Sequence, residues 1–193
     1  MVLLSDQKRS QSRWHELRCK FVLSDVSEKI IASADGYSIF EPIVTLEIDG
    51  KNVFESLGIN GVKSAVIMHS RERFIGRTRE LVEDLSEKNG GAYEYWLLGT
   101  GFGFLVDRNG QTLQLFLRVV GGMGPTQGVN SPQTVHIGTV SVNEWVETIA
   151  SLSRSLSDLF RRLNPEAYRD PMFQRDEASL LLLEKWLSVG RNP

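Results

Sequence analysis

The stretch from Thr112 to Val120 limits the fold more than any other. Leu113, Leu115, Leu117 and Val119 alternate there with Gln114, Phe116 and Arg118. A period of two of this kind is the mark of a strand with one buried face. Two aromatic-rich runs precede it, Tyr93-Glu94-Tyr95-Trp96-Leu97-Leu98 and Phe102-Gly103-Phe104-Leu105-Val106, and Asp107-Arg108-Asn109-Gly110 supplies a turn. Aromatic side chains suit a pleated surface. Short turns between such runs predict an antiparallel meander. Thr134 to Val140 adds a strand with Val135, Ile137 and Thr139 on one face.

Upstream, Val44, Leu46 and Ile48 alternate with Thr45 and Glu47, and Asp49-Gly50 leads on to Val53 and Phe54. Asp-Gly between apolar runs predicts a hairpin, because a type I′ turn needs positive φ at both central residues. Pro42 near its start suits an edge or a bulge. The second half of Trp14 to Leu23 alternates like a strand, and Glu28 to Ser33 is a short strand candidate closed by Ala34-Asp35-Gly36. From Leu57 to Met68 strand and helix both remain open, with a turn at Asn60-Gly61.

Helical periods follow. Phe74, Ile75, Thr78, Leu81, Val82 and Leu85 mark one buried stripe, with Asn89-Gly90-Gly91 as its stop. Gly76 weakens this helix by about 1 kcal/mol relative to Ala. Ser141-Val142-Asn143-Glu144 reads as a capping box, with Ser141 accepting from a free amide and Glu144 reaching back. Behind it, Val142, Trp145, Val146, Ile149, Leu152, Leu156, Leu159, Phe160 and Leu163 trace one face until Asn164-Pro165. Asp170-Pro171 opens a second connection, and a last helix is expected over Gln174 to Leu187. Leu180 to Leu183 are consecutive, so that helix is buried on more than one side or pairs with a second copy as a homodimer.

These elements predict an α+β fold, a mostly antiparallel sheet with helices packed on one face and a C-terminal helix pair. Residues 1–12 are expected to be a mobile segment and residues 13–190 a single domain. The 193 residues suit one domain, and 41% apolar with 24% charged content excludes wholesale disorder. A net charge of −2 gives no global field for nucleic acid or an anionic membrane. Cys19 is the only cysteine, so an intrachain disulfide framework is excluded. The charges near Met1 follow its few apolar residues, the reverse of a signal peptide, and no apolar run approaches a membrane span. Cytoplasmic placement is the expectation.

The candidate chemistry is thin. Gly99-Thr100-Gly101-Phe102-Gly103 follows a strand but precedes another strand, so a turn or bulge is favoured over a phosphate loop. If their segment is a strand, His15 and Cys19 share a face but stand about 13 Å apart, too far for a thiolate–imidazole pair, and a buried structural cysteine is expected. His69 and His136 are isolated and complete no zinc set. Arg71, Arg73, Arg77 and Arg79, interleaved with Glu72, Glu80, Glu83 and Asp84, read as a solvated face. Arg161-Arg162 suits a helix C-terminus. No catalytic residue, metal site or cofactor is therefore expected. The long glycine- and proline-rich loop from Gly121 to Pro132 is either a contact with a partner, through Met123, Gln127 and Asn130, or a plainly disordered segment.

The run Val44-Thr45-Leu46-Glu47-Ile48-Asp49-Gly50 combines with Tyr95-Trp96-Leu97-Leu98-Gly99 and its glycine-rich successor. With a strand running into Ser141-Val142-Asn143-Glu144-Trp145 and a long helix, this order resembles the small bacterial immunity proteins that neutralise polymorphic toxins. The resemblance spans residues 40–163. It implies a protein that occludes a toxin's active site or locks its conformation, which takes a surface and no catalytic group. A non-enzymatic, cytoplasmic protein-binding module is the resulting expectation. A small-ligand regulator and an enzyme with a site assembled from distant residues are its rivals.

Overall fold

A computed structural model describes residues 18–23, 30–32, 38–40, 43–86, 90–120 and 132–189. It bears out the α+β class, with its strands in antiparallel pairs and two long helices at the C-terminal end. Strands β1 (Cys19–Leu23), β4 (Ile43–Ile48), β5 (Lys51–Asn52) and β6 (Val62–Lys63) form one sheet, while β2 (Ile30–Ala32) and β3 (Ser38–Phe40) pair separately. The second four-stranded sheet holds β7 (Gly90–Trp96), β8 (Phe102–Asn109), β9 (Thr112–Val119) and β10 (Gln133–Ser141), in the spatial order β10-β9-β8-β7. The helices are α1 (Ser64–Glu83), α2 (Val142–Leu163) and α3 (Pro171–Val189).

The meander follows from the alternation. Leu113, Leu115, Leu117 and Val119 are all fully buried, and Phe104 faces Leu117 across the β8–β9 ladder. The Asp49-Gly50 hairpin also forms, with φ of 51° and 74° at the two turn residues. Its second strand is shorter than the sequence suggests. After Asn52 the chain turns into a 3-10 segment, Val53–Leu57, and this drops Phe54 into the core. Asn52 caps that segment by accepting from the Phe54 amide at 3.1 Å.

Phe104 sits at the centre of the core. Its ring lies 6.0–6.5 Å from those of Phe21, Phe54, Phe74 and Trp145, which belong to β1, the 3-10 segment, α1 and α2. The inner face of β7–β10 is thus covered by two helices and by the smaller sheet. α3 packs outside them, on α1 and α2.

Several details differ from the sequence reading, among them β8, which runs on through Asp107–Asn109, residues expected in a turn. α1 begins at Ser64 and takes in the ambiguous Ala65–Met68, because Ile67 continues the buried stripe. It ends at Glu83, and Gly90-Gly91, read as its stop, are the first residues of β7; Asn89 lies outside the described residues. At α2, Ser141 accepts from Glu144 N at 3.1 Å as expected, but Glu144 does not reach back. Its carboxylate accepts from the Cys19 amide at 3.1 Å, and Thr148 donates to the Cys19 carbonyl at 2.8 Å. The helix end therefore satisfies the outer edge of β1, a stronger demand than its own cap. Finally, Asp170-Pro171 is a helix start: Asp170 accepts from Met172 N at 2.8 Å, with proline at the first helical position.

Leu180 and Leu183 are buried, whereas Leu181 and Leu182 are more than half exposed. Within this chain α3 is thus buried on one side, and burial on more than one side is ruled out. No helix among the described residues is long and apolar enough to cross a membrane.

Candidate functional site

Two polar constellations stand out, one buried and one open. The buried one joins the three helices. Arg71, expected on a solvated face, is only 2% exposed. It lies three residues before Phe74 and seven before Thr78, in phase with the buried stripe, so its side chain has no route to water. Its Nη2 donates to Ser157 Oγ at 2.7 Å and also to Glu177 Oε1. The guanidinium lies 4.8 Å from the centre of the Phe173 ring and 3.6 Å from Asp176 Oδ2. Arg154 donates to the other Glu177 oxygen at 2.9 Å and pairs with Glu184. Burial pushes the Arg71 pKa down and that of Asp176 up. Arg71, Ser157 and Glu177 come from three helices, and this constellation locks α3 to α1 and α2.

The open constellation lies on the outward face of the larger sheet. Strand register sets Trp96, Gly103, Arg118 and Thr134 in one row, and Glu94, Leu105, Phe116 and His136 in the next. The indole of Trp96 lies against Gly103: a Cβ there would stand 3.1 Å from Trp96 Cε3 and 2.5 Å from the Tyr95 carbonyl oxygen. Glycine is needed at this position for close approach. Glu94 holds the indole in place by accepting from Trp96 Nε1 at 2.9 Å, and its other oxygen accepts from Arg118. The Arg118 guanidinium sits 5.7 Å from the centre of the Trp96 ring, in cation–π range. Beside this cluster, Phe116 and His136 meet edge to face at 5.2 Å.

A groove of about 530 Å³ continues from this corner. Glu94 and Trp96 form one wall, α1 contributes Arg73, Gly76 and Arg77, and α3 closes it with Arg175 and Asp176. Its charges are mostly internal pairs. Arg77 bonds Glu80 at 2.5 Å, and Arg175 bonds Glu72.

The residues singled out from the sequence fare unevenly. Gly99 and Gly101 take φ of 76° and 71° in the turn between β7 and β8, as the turn reading requires. His69 lies on α1 and His136 on β10, and among the described residues no three His, Cys, Asp or Glu stand close enough to hold a metal ion. His15, Met123, Gln127 and Asn130 lie outside the described residues. Arg161 sits in the last turn of α2, where it donates to Tyr168 Oη at 2.6 Å.

Cys19 is fully buried, and burial pushes its thiol up to about 12 from 9.0. The folded state holds this proton more tightly than the unfolded one, so stability is lost as pH rises from about 9 towards 12. At pH 8 a chromogenic disulfide reagent is expected to react at least about 100-fold more slowly with the native protein than with the unfolded chain. Comparable rates in the two states would show that β1 opens readily.

Trp96, Glu94 and Arg118 were missed as a unit because only strand register brings residues 94, 96 and 118 together. Arg71 and Glu177 did carry a signal, each being a charge in phase with a buried stripe. Compared with protein-family models, curated proteins and solved structures, the chain has no match in any of the three.

Proposed function

We propose that the chain is a protein-binding module, acting in the cytoplasm, whose interface is the outward face of β7–β10 anchored on Trp96 and Arg118. The observation that carries this reading is the fixed position of the indole. Tryptophan and arginine dominate binding hot spots, and side chains already held in place lose little freedom on association. Here Trp96 is pinned between Gly103 and Glu94, with Arg118 alongside. Leu105, Phe116 and His136 extend the surface across three strands. In keeping with the resemblance of residues 40–163 to immunity proteins, the bound protein is a toxin domain that this face covers.

The groove, at about 530 Å³, falls in the size range of small-ligand sites and supports the ligand-regulator reading as second choice. Its walls are largely charged and half open, whereas such sites are mostly apolar, so the surface reading is preferred.

The test is capture from lysate of the native host with tagged wild-type chain and with Trp96→Ala. One stoichiometric protein is expected with the wild type, reduced at least tenfold with the variant, while the thermal midpoint falls by no more than a few degrees. Equal recovery by both, or recovery of the chain alone, would overturn the proposal.

A further inference from the structure

We infer that the open edge of β7 is the seat for an extended segment of the partner protein, which adds to the sheet as a fifth strand and places an acidic side chain against Arg73. The inference rests on the protein-binding reading above and specifies how the partner is held.

The sheet has two edges, and they differ. β10 carries a bulge between His136 and Gly138, and its inner face packs on the smaller sheet, where a Cβ on Gly138 would stand 2.8 Å from Ile48 Cγ2. A bulged edge resists strand addition. β7 pairs with β8 without a register shift from Gly90 to Trp96 and, among the described residues, ends the sheet. Leu97 N–H donates to the Phe102 carbonyl at 3.2 Å, towards β8. By the alternation of antiparallel ladders, the amides and carbonyls of Trp96, Glu94 and Ala92 point the other way, to the open edge. An added strand would take up those groups through main-chain hydrogen bonds.

The groove follows this edge. Trp96 and Glu94 point to the outward face of the sheet while α1 packs on its inner face, yet both line the same groove. The space between them therefore runs past the edge of β7. Its floor is Gly76, in the middle of α1. Apart from its own turn of helix, no described atom lies within 4 Å of where a Cβ would stand, so packing against the rest of the described chain does not call for glycine there. Glycine is the poorest helix former after proline. What it provides is close approach of another backbone.

Charge indicates what that backbone carries. Arg77, Arg79 and Arg175 each pair with a carboxylate, Glu80, Glu83 and Glu72 respectively. Arg73 lines the groove and makes no ion pair with a described residue. A carboxylate on the incoming strand completes the set.

The probe is a phage-displayed library of random linear dodecapeptides, panned against the full-length chain. Selected peptides are expected to be rich in Asp or Glu and in β-branched residues. They should lose at least tenfold in affinity for Gly76→Trp and several-fold for Arg73→Ala. They should also slow hydrogen exchange at the amides of Trp96 and Glu94. Gly76→Ala should raise the thermal midpoint by about 2–4 °C and still weaken binding. Affinity unchanged in both Gly76→Trp and Arg73→Ala, protection confined to other strands, or no selected peptide at all would overturn the inference. Lysate capture separates the two proposals. A protein lost with Trp96→Ala but retained by Gly76→Trp removes the strand seat and leaves the binding surface standing.

Discussion

Replacing Glu177 with alanine is expected to cost the fold about 3–5 kcal/mol, the range for breaking one side of a buried ion pair. The reason is what the substitution leaves behind. Glu177 accepts from Arg71, Ser157 and Arg154, and is 7% exposed. Without it the Arg71 guanidinium remains in the interior, its nearest carboxylate now Asp176 at 3.6 Å. Burial already disfavours the charged form of Arg71, so the loss falls on a group with no reserve of solvation. The double variant Arg71→Met, Glu177→Leu removes both charges and should recover most of the loss, since well-packed apolar pairs commonly replace buried ion pairs at little cost. Urea unfolding of the three proteins, followed by circular dichroism, reads both effects. A loss below about 1 kcal/mol in Glu177→Ala would mean that water reaches Arg71.

Phe104→Ala should be comparably damaging, at about 3–5 kcal/mol. The ring is 2% exposed and meets aromatic rings from four different elements. No single neighbour can move to fill the space, because Phe21, Phe54, Phe74 and Trp145 are each held by their own strand, turn or helix. Leu105, the next residue, faces outward and is half-buried. Leu105→Ala is expected to cost less than half as much in the same urea experiment. If the two substitutions cost alike, the assignment of inner and outer faces to β8 would be wrong.

The faces of the large sheet were legible because alternation is a property of the strand itself. Leu113 to Val119 needs no partner to show which side is buried, and Asp49-Gly50 carries its turn in two residues. Helix ends were harder, since competing partners decide them. Glu144 bonds the Cys19 amide and not its own cap, a choice set by a strand 125 residues away. Asp170-Pro171 resembles a connection in composition, although proline at the first helical position is a start signal. Charge alone groups the arginines of α1 and hides the phase that separates buried Arg71 from exposed Arg73. The candidate surface was illegible for a different reason. Trp96, Gly103 and Arg118 sit on three strands, and only the ladder registers put them in one row.

Site-directed photo-crosslinking tests the proposed interface most directly. A photoreactive amino acid is placed at Phe116, on the outward face of the sheet, and in a second protein at Leu182, on the exposed side of α3. Both are expressed in the native host and irradiated. The expected result is a covalent adduct to one other protein from position 116, abolished by Trp96→Ala, and none to that protein from position 182. An adduct to that protein from position 182 alone, or no adduct to another protein from position 116, would contradict the assignment of the sheet face as the binding surface.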